Sequence, residues 1–134
     1  MAILGSTIVN GDLTSTGKIT AVNFYSTSDK ELKENIKEVK DINFKEILDK
    51  IILKEFNFKC DKDKNLIIGI IAQELEQILP NEYLKSMIYI NDDGFYSINE
   101  TKLIYWLIGA LKEEIKRNDN LEDRVKKLEE KVGD

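Results

Sequence analysis

Residues 101–134 read "TKLIYWLIGALKEEIKRNDNLEDRVKKLEEKVGD", and apolar residues recur along this whole stretch with the period of a helix. Core-type positions recur alternately four and three residues apart, which is typical of a coiled-coil seam. A lone helix would leave the apolar edge of this seam in water, so the pattern predicts association between chains. The predicted core positions are Leu107, Leu111, Glu114, Asn118, Leu121, Val125, Leu128 and Val132.

Three details refine this prediction. Asn118 at a core position costs stability but fixes the register of the coil. Ile104, Ile108 and Ile115 widen the apolar stripe early in the helix, so we expect the first half to pack on a globular body. Alternating Val and Leu favour dimers in parallel coils, and the heptads alone therefore do not specify a trimer.

The middle of the chain predicts a small body of mixed helices and strands. Apolar runs at 53–58 and 66–72 suit the two strands of one hairpin. A second hairpin is predicted from 86–91 and 95–99, joined through Gly94, which can adopt the positive φ of a tight turn. The predicted fold class is therefore α+β, with β-hairpins in the body and a long C-terminal helix.

Three shorter helices are predicted before that long helix. The stretch 28–40, "SDKELKENIKEVK", is a good helix by propensity. A second amphipathic helix of a turn or two is predicted from the apolar residues between Ile42 and Ile51, and a third from "QELEQILP" at 73–80, which Pro80 ends.

The first 25 residues differ in composition from the rest, being rich in Gly, Ser and Thr with few charges, and they contain a short repeat. Gly5, Gly11 and Gly17 are six residues apart and open the units "GSTIVN", "GDLTST" and "GKITAV". Branched residues between glycine turns favour short strands, but three such units cannot enclose a core in one chain. We expect this segment to be the end of a longer β-rich stalk completed by other chains; a flexible Gly/Ser linker is the alternative.

Composition excludes several classes of protein. The net charge of −5, with Lys and Glu interleaved, argues against binding to nucleic acid. The chain has no histidine and a single cysteine, Cys60, so a histidine-based triad and the usual zinc centres are ruled out, and we expect no metal or cofactor. The apolar runs are too short to span a membrane, and we expect no membrane partner and synthesis inside the cell.

Residues 26–37, "STSDKELKENIK", allow two interpretations of Ser28. In the first, Ser28 and Glu31 form a capping box at a helix start. In the second, Ser28 is a nucleophile and Lys33 its base. Five residues turn a helix by roughly 500°, so Lys33 reaches Ser28 only if the serine precedes the first turn. The helix dipole and Lys30 both disfavour the charged form of Lys33 there.

Several motifs resemble one known family. "STSDKELKENI" at 26–36 is similar to the "SD...LK.NI" signature of the intramolecular chaperone auto-processing domain, of the peptidase S74 type, found at the C-terminus of bacteriophage tail fibres, tailspikes and neck appendages. "IGIIAQELEQILP" at 68–80 and "YSINETKLIYWLIGALKEEI" at 96–115 resemble later parts of that domain. The prelude at 9–29 resembles the fibre sequence that leads into it.

The resemblance implies a division of the chain and an activity. Residues 28–134 would be the chaperone domain, with 101–134 as its trimeric coiled coil, and 1–27 the end of the fibre stalk. The domain would drive trimerisation of three identical chains and folding of the stalk, then cut the bond between Thr27 and Ser28. Ser28 would be the nucleophile of this single-turnover peptidase and Lys33 the general base.

The matched motifs also imply supporting residues, namely Asp29, Asn35, Gln73 and Glu74. Glu31 stands where the family often has a basic residue, and its carboxylate could pair with Lys33 and hold it charged. By the same resemblance, the precursor would be made in the host cytoplasm, the fibre would end in the virion tail, and the domain would be released. The alternative is a non-cleaving trimerisation or receptor-binding tip.

Overall fold

The structure is a computed structural model that describes residues 2 and 4–133. The chain divides into two compact units, 1–38 and 39–134, which are described separately. None of the described helices combines the length and apolar character needed to cross a membrane.

The first unit has almost no regular structure. Its one element within the described residues is a 3-10 turn, Lys30–Leu32, and every described residue from 4 to 38 is exposed. The helix predicted over 28–40 is therefore wrong: three residues form the turn, and Asn35 follows in the left-handed region at φ 53°. Propensity alone leaves so short a helix marginal in water, and no buried face stabilises this one.

No residue between 4 and 27 lies in a strand in this single chain. Isolated strands have unpaired backbone groups, so the predicted units need partners to form a ladder. A stalk completed by other chains stays a prediction.

The second unit has a mixed α and β fold, as predicted. In chain order its elements are α1 (Phe44–Asp49), β1 (Lys54–Phe56), β2 (Ile67–Gly69), α2 (Ala72–Ile78), a 3-10 turn (Asn81–Tyr83), α3 (Leu84–Met87), β3 (Ile88–Ile90), β4 (Tyr96–Ile98) and α4 (Glu100–Gly133).

Both predicted hairpins are confirmed. β1 pairs antiparallel with β2, with Glu55 opposite Ile68, and β3 pairs antiparallel with β4, with Tyr89 opposite Ser97. Gly94 adopts φ 82° in the second hairpin, the positive φ expected of it. The helix predicted at 73–80 is also confirmed, since α2 ends at Ile78 just before Pro80.

A small core joins α4 to the rest of the second unit. Its buried residues are Leu75, Leu79, Met87 and Trp106. The Trp106 ring packs edge-on against Phe44 at 5.6 Å and against Tyr83 at 5.4 Å between ring centroids. Such aromatic contacts add stabilisation beyond the area they bury, so Trp106 anchors the long helix on the body.

The first half of α4 packs on the body, as predicted, but through a different face. Leu103, Trp106 and Gly109 face the core and α1, whereas Ile104 and the rest of the predicted stripe are exposed. The prediction that Glu114 is a core position of the coil is corrected, because its carboxylate pairs with Lys45 of α1. A carboxylate is stabilised more by this charge-assisted pairing than by an apolar environment.

Candidate functional site

The structure brings Ser28 and Lys33 into direct contact. The Lys33 ammonium donates a hydrogen bond to Ser28 Oγ at 2.7 Å. A nucleophile and its general base require this hydrogen-bond distance. A neutral Lys33 amine in the same position would accept the proton of the Ser28 hydroxyl. The pair can therefore exchange a proton without moving the backbone.

Local backbone bonds produce this contact. The Leu32 amide donates to the Asp29 carbonyl at 3.2 Å, and the Lys33 amide donates to the Lys30 carbonyl at 3.1 Å. A 3-10 turn rises only about 2.0 Å per residue, so it draws residue 33 back toward residue 28. The expectation that Lys33 reaches Ser28 only at the start of a turn agrees with this geometry.

Ser28 is not the cap of the turn. The cap is Asp29, whose Oδ1 accepts a hydrogen bond from the Glu31 amide at 2.9 Å. The capping-box interpretation of Ser28 and Glu31 is therefore wrong, because the Glu31 amide that the Ser28 hydroxyl would have to accept is bound by Asp29 instead. Among the described residues, the Ser28 hydroxyl bonds only to Lys33.

Glu31 does not restrain Lys33 in this structure. Within residues 4–133, no carboxylate lies within 4.0 Å of the Lys33 ammonium. The pairing that the sequence suggested between Glu31 and Lys33 is therefore absent in this part of the chain.

The bond between Thr27 and Ser28 is accessible. Thr27 lies outside regular structure and is exposed, as are Ser28 and Lys33. Asn35, two residues after Lys33, adopts φ 53°, a conformation that asparagine tolerates better than most residues. It turns the chain immediately after the pair.

The other predicted supporting residues belong to the second unit. Gln73 is exposed on α2, and Glu74 pairs with Lys54 of β1 at 3.5 Å. The contacts of Glu74 are thus with the first hairpin. Asn118 is exposed on α4.

An apolar stripe runs along the solvent side of α4 and is here called the α4 stripe. All its members are between 38% and 86% exposed. Soluble proteins seldom expose an apolar surface that extends along a whole helix unless it is an interface. The members are Ile104, Leu107, Ile108, Leu111, Ile115, Leu121, Val125, Leu128 and Val132.

Sequence reasoning named Asp29 only as a supporting residue, without its role as the cap, and it missed Glu113. Asp29 caps the turn that carries the pair; the signal was present, since aspartate is a preferred cap. Glu113 binds two amides of α1 and docks α4 on the body. No local sequence pattern predicts a contact with a residue so far away in the chain.

Cys60 is a free, exposed thiol, and no group of three potential metal-ligating His, Cys, Asp or Glu side chains occurs in the described part of the chain.

Residues 28–84 match the model of the Peptidase_S74 family, described as "Chaperone of endosialidase". The match begins at Ser28, the residue that Lys33 contacts, and extends through both strands of the first hairpin and α2. The resemblance drawn from the sequence motifs is confirmed for this segment. The family description indicates a chaperone role and a peptidase of the serine class.

Proposed function

We propose that this chain is a C-terminal intramolecular chaperone that assembles a trimeric fibre and then cuts itself between Thr27 and Ser28. The observation that carries the proposal is the 2.7 Å contact between Lys33 Nζ and Ser28 Oγ. It lies at the first residue of the segment that matches the S74 family.

The chemistry is an attack on the preceding peptide bond. Neutral Lys33 takes the Ser28 hydroxyl proton while Oγ bonds to the Thr27 carbonyl carbon. The bond from that carbon to the Ser28 nitrogen breaks, and the nitrogen takes up a proton as the amine leaves. Water then hydrolyses the resulting ester, giving a carboxylate on Thr27 and restoring the Ser28 hydroxyl.

Two features suit this reaction to a single turnover. The nucleophile and the scissile carbonyl are adjacent in the chain, so the attack is intramolecular and has a high effective concentration. No substrate pocket is needed, since the chain is its own substrate. Each chain is cut once.

Assembly would control the reaction through the protonation state of Lys33. In the single chain Lys33 is exposed, and its amine lies 2.7 Å from Ser28 Oγ. Cover by neighbouring chains would remove water from the amine and favour its neutral form. Cleavage would then report that the stalk has assembled.

The α4 stripe would supply the assembly. Its members continue along α4 as far as Val132, and those in the second half of the helix, from Leu121 onward, are also exposed. Two further copies of the chain would bury the stripe as a coiled coil. In this proposal the upstream stalk of the same polypeptide folds as the three chains are brought together in the host cytoplasm, and the finished fibre joins the virion tail.

A set of matched variants tests the cutting activity. Wild type, Ser28→Ala, Lys33→Ala and Lys33→Arg are expressed and their intact masses recorded over time. We expect a fragment that starts at Ser28 in wild type only. Arginine keeps the positive charge and can still donate to Ser28, but it stays protonated and cannot act as a base, so Lys33→Arg isolates proton abstraction.

The alternative function is a fibre tip that trimerises without cutting. The exposure of Ser28 and Lys33 in the single chain favours it. A wild-type chain that stays whole while trimeric would support this alternative and overturn the autoproteolysis proposal. Cleavage in Lys33→Arg at the wild-type rate would keep the peptidase but remove Lys33 as its base.

A further inference from the structure

The turn between Ser28 and Lys33 depends on the side chain of Asp29. Asp29 Oδ1 accepts the Glu31 amide at 2.9 Å, and the Asp29 carbonyl accepts the Leu32 amide at 3.2 Å. Two of the three bonds that close the turn therefore end on this one residue, the third being Lys33 N to Lys30 O.

No tertiary packing holds this turn in the described first unit. Every described residue from 4 to 38 is exposed, and the turn contains no buried side chain. Short helical turns without such packing are marginal in water. The fraction of chains that hold Lys33 next to Ser28 is thus set by the local bonds.

Without the turn the pair would separate. Five residues of extended chain span up to about 17 Å, whereas a 3-10 turn advances only about 2.0 Å per residue. The contact at 2.7 Å requires the compact form. Loss of the cap shifts the chain toward the extended form.

We propose that Asp29 is a positioning residue for the Ser28–Lys33 pair, acting through its cap on the Glu31 amide and not through its charge. The proposal rests on the proposed function for its kinetic consequence. Its structural part concerns the turn alone and is tested separately.

The two roles of a carboxylate at this position are separable by substitution. Asp29→Asn keeps a side-chain oxygen at the same distance from the backbone and removes the charge, and asparagine caps as well as aspartate. Asp29→Glu keeps the charge but moves the oxygens one methylene further away. Asp29→Ala removes both charge and cap.

The kinetic test compares self-cleavage of the full-length variants. We expect Asp29→Asn to cut at the wild-type rate and Asp29→Ala to be about fivefold slower, which is about 1 kcal/mol and the usual value of a cap. Asp29→Glu should be slowed similarly. The midpoint of the pH–rate profile should not move in Asp29→Ala, because fewer chains are positioned but the base is unchanged. If Asp29→Asn is as slow as Asp29→Ala, or if the midpoint moves, the charge is responsible and the proposal is wrong.

A second measurement decides the structural part if the wild-type chain does not cut itself. Amide hydrogen exchange is measured by NMR for Glu31 and Lys33 in the same full-length variants, together with nuclear Overhauser contacts between the Ser28 β-protons and the Lys33 ε-protons. We expect protection and contacts in wild type and Asp29→Asn and their loss in Asp29→Ala and Asp29→Glu. Undiminished protection in Asp29→Ala would overturn the positioning role, whereas absence of cleavage alone would overturn only the proposed function.

Discussion

Glu113 on α4 accepts a hydrogen bond from the backbone amide of Phe44 at 2.8 Å, although the two residues are 69 positions apart. Its other carboxylate oxygen accepts the Lys45 amide at 2.9 Å. One charged side chain therefore satisfies two free amides at the start of α1, where the helix dipole also favours a negative charge. This contact, together with the packing of Trp106, fixes α4 on the body.

Removal of Glu113 should weaken this docking. We expect Glu113→Ala to lower the free energy of unfolding by about 2 kcal/mol, because two amides lose a charged acceptor. Glu113→Gln, which retains one neutral oxygen, should lose about half as much. Urea unfolding followed by circular dichroism at a fixed protein concentration measures both, with Glu122→Ala, exposed on the same helix, as the control. Equal stability of Glu113→Ala and this control would contradict the docking role.

Gly109 provides the close approach between α4 and α1. A Cβ atom at this position would lie 2.5 Å from the Phe44 ring, so a side chain must push the ring away. Such overpacking costs about 1–3 kcal/mol, against about 1 kcal/mol gained from the better helix propensity of alanine. We expect Gly109→Ala to lower the free energy of unfolding by about 1 kcal/mol.

A smaller side chain at position 44 provides the control for this prediction. In a Phe44→Leu background, the same Gly109→Ala change should be neutral or stabilising, since the clash is relieved. A double-mutant cycle of unfolding free energies measures the difference. A stabilising effect of Gly109→Ala in the wild-type background would show that the two elements are not in close contact there.

The pair Lys45–Glu114 makes stability depend on pH. The hydrogen bond from Lys45 is the main cause that lowers the pKa of Glu114 below its ordinary value of 4.5. A carboxyl group with a lowered folded-state pKa stabilises the fold fully above the ordinary value and loses that contribution as the pH falls through the folded-state pKa. We expect wild type to melt above Glu114→Gln at pH 7 and the two to converge in acid. If the difference in Tm between wild type and Glu114→Gln widened on acidification, the predicted direction of the pH dependence would be wrong.

The α4 stripe should control the oligomeric state. Val125→Asp places a charge on the stripe at its exposed, distal end, and we expect it to convert trimers to monomers at micromolar concentration. Asn120→Asp adds the same charge on α4 at a position off the stripe and should leave the trimer intact. Sedimentation equilibrium measures both masses. Trimers that persist in Val125→Asp would place the interface elsewhere.

Much of the second unit could be predicted from its sequence because each element has a local signal. Short apolar runs predicted the strands of both hairpins, Pro80 predicted the end of α2, and helical periodicity predicted α4. The face that α4 presents to the body was not predictable in the same way, because Trp106 and Gly109 contact residues far away in the sequence. Glu114 fits the heptads, but its partner Lys45 is 69 positions away.

At the candidate site, by contrast, the sequence indicated which residues could meet but not the local structure around them. The spacing of Ser28 and Lys33 allowed them to meet only if the serine precedes the first turn, and in the structure they meet in that way. The predicted helix over 28–40 failed because propensity without a buried face does not sustain a helix. The prediction of Ser28 as the cap was also wrong. Ser28 and Asp29 are both good caps, and only the backbone geometry selects between them.

Native mass spectrometry of the wild-type chain tests assembly and self-cleavage together, because one spectrum reports both. We expect trimers built from fragments that begin at Ser28, and a separate product that ends at Thr27 with a free carboxylate. Ser28→Ala should give trimers of the whole chain in the same experiment. Wild-type trimers that persist with the bond between Thr27 and Ser28 intact would show that the chain assembles without cutting itself, and the proposed autoproteolysis would be wrong.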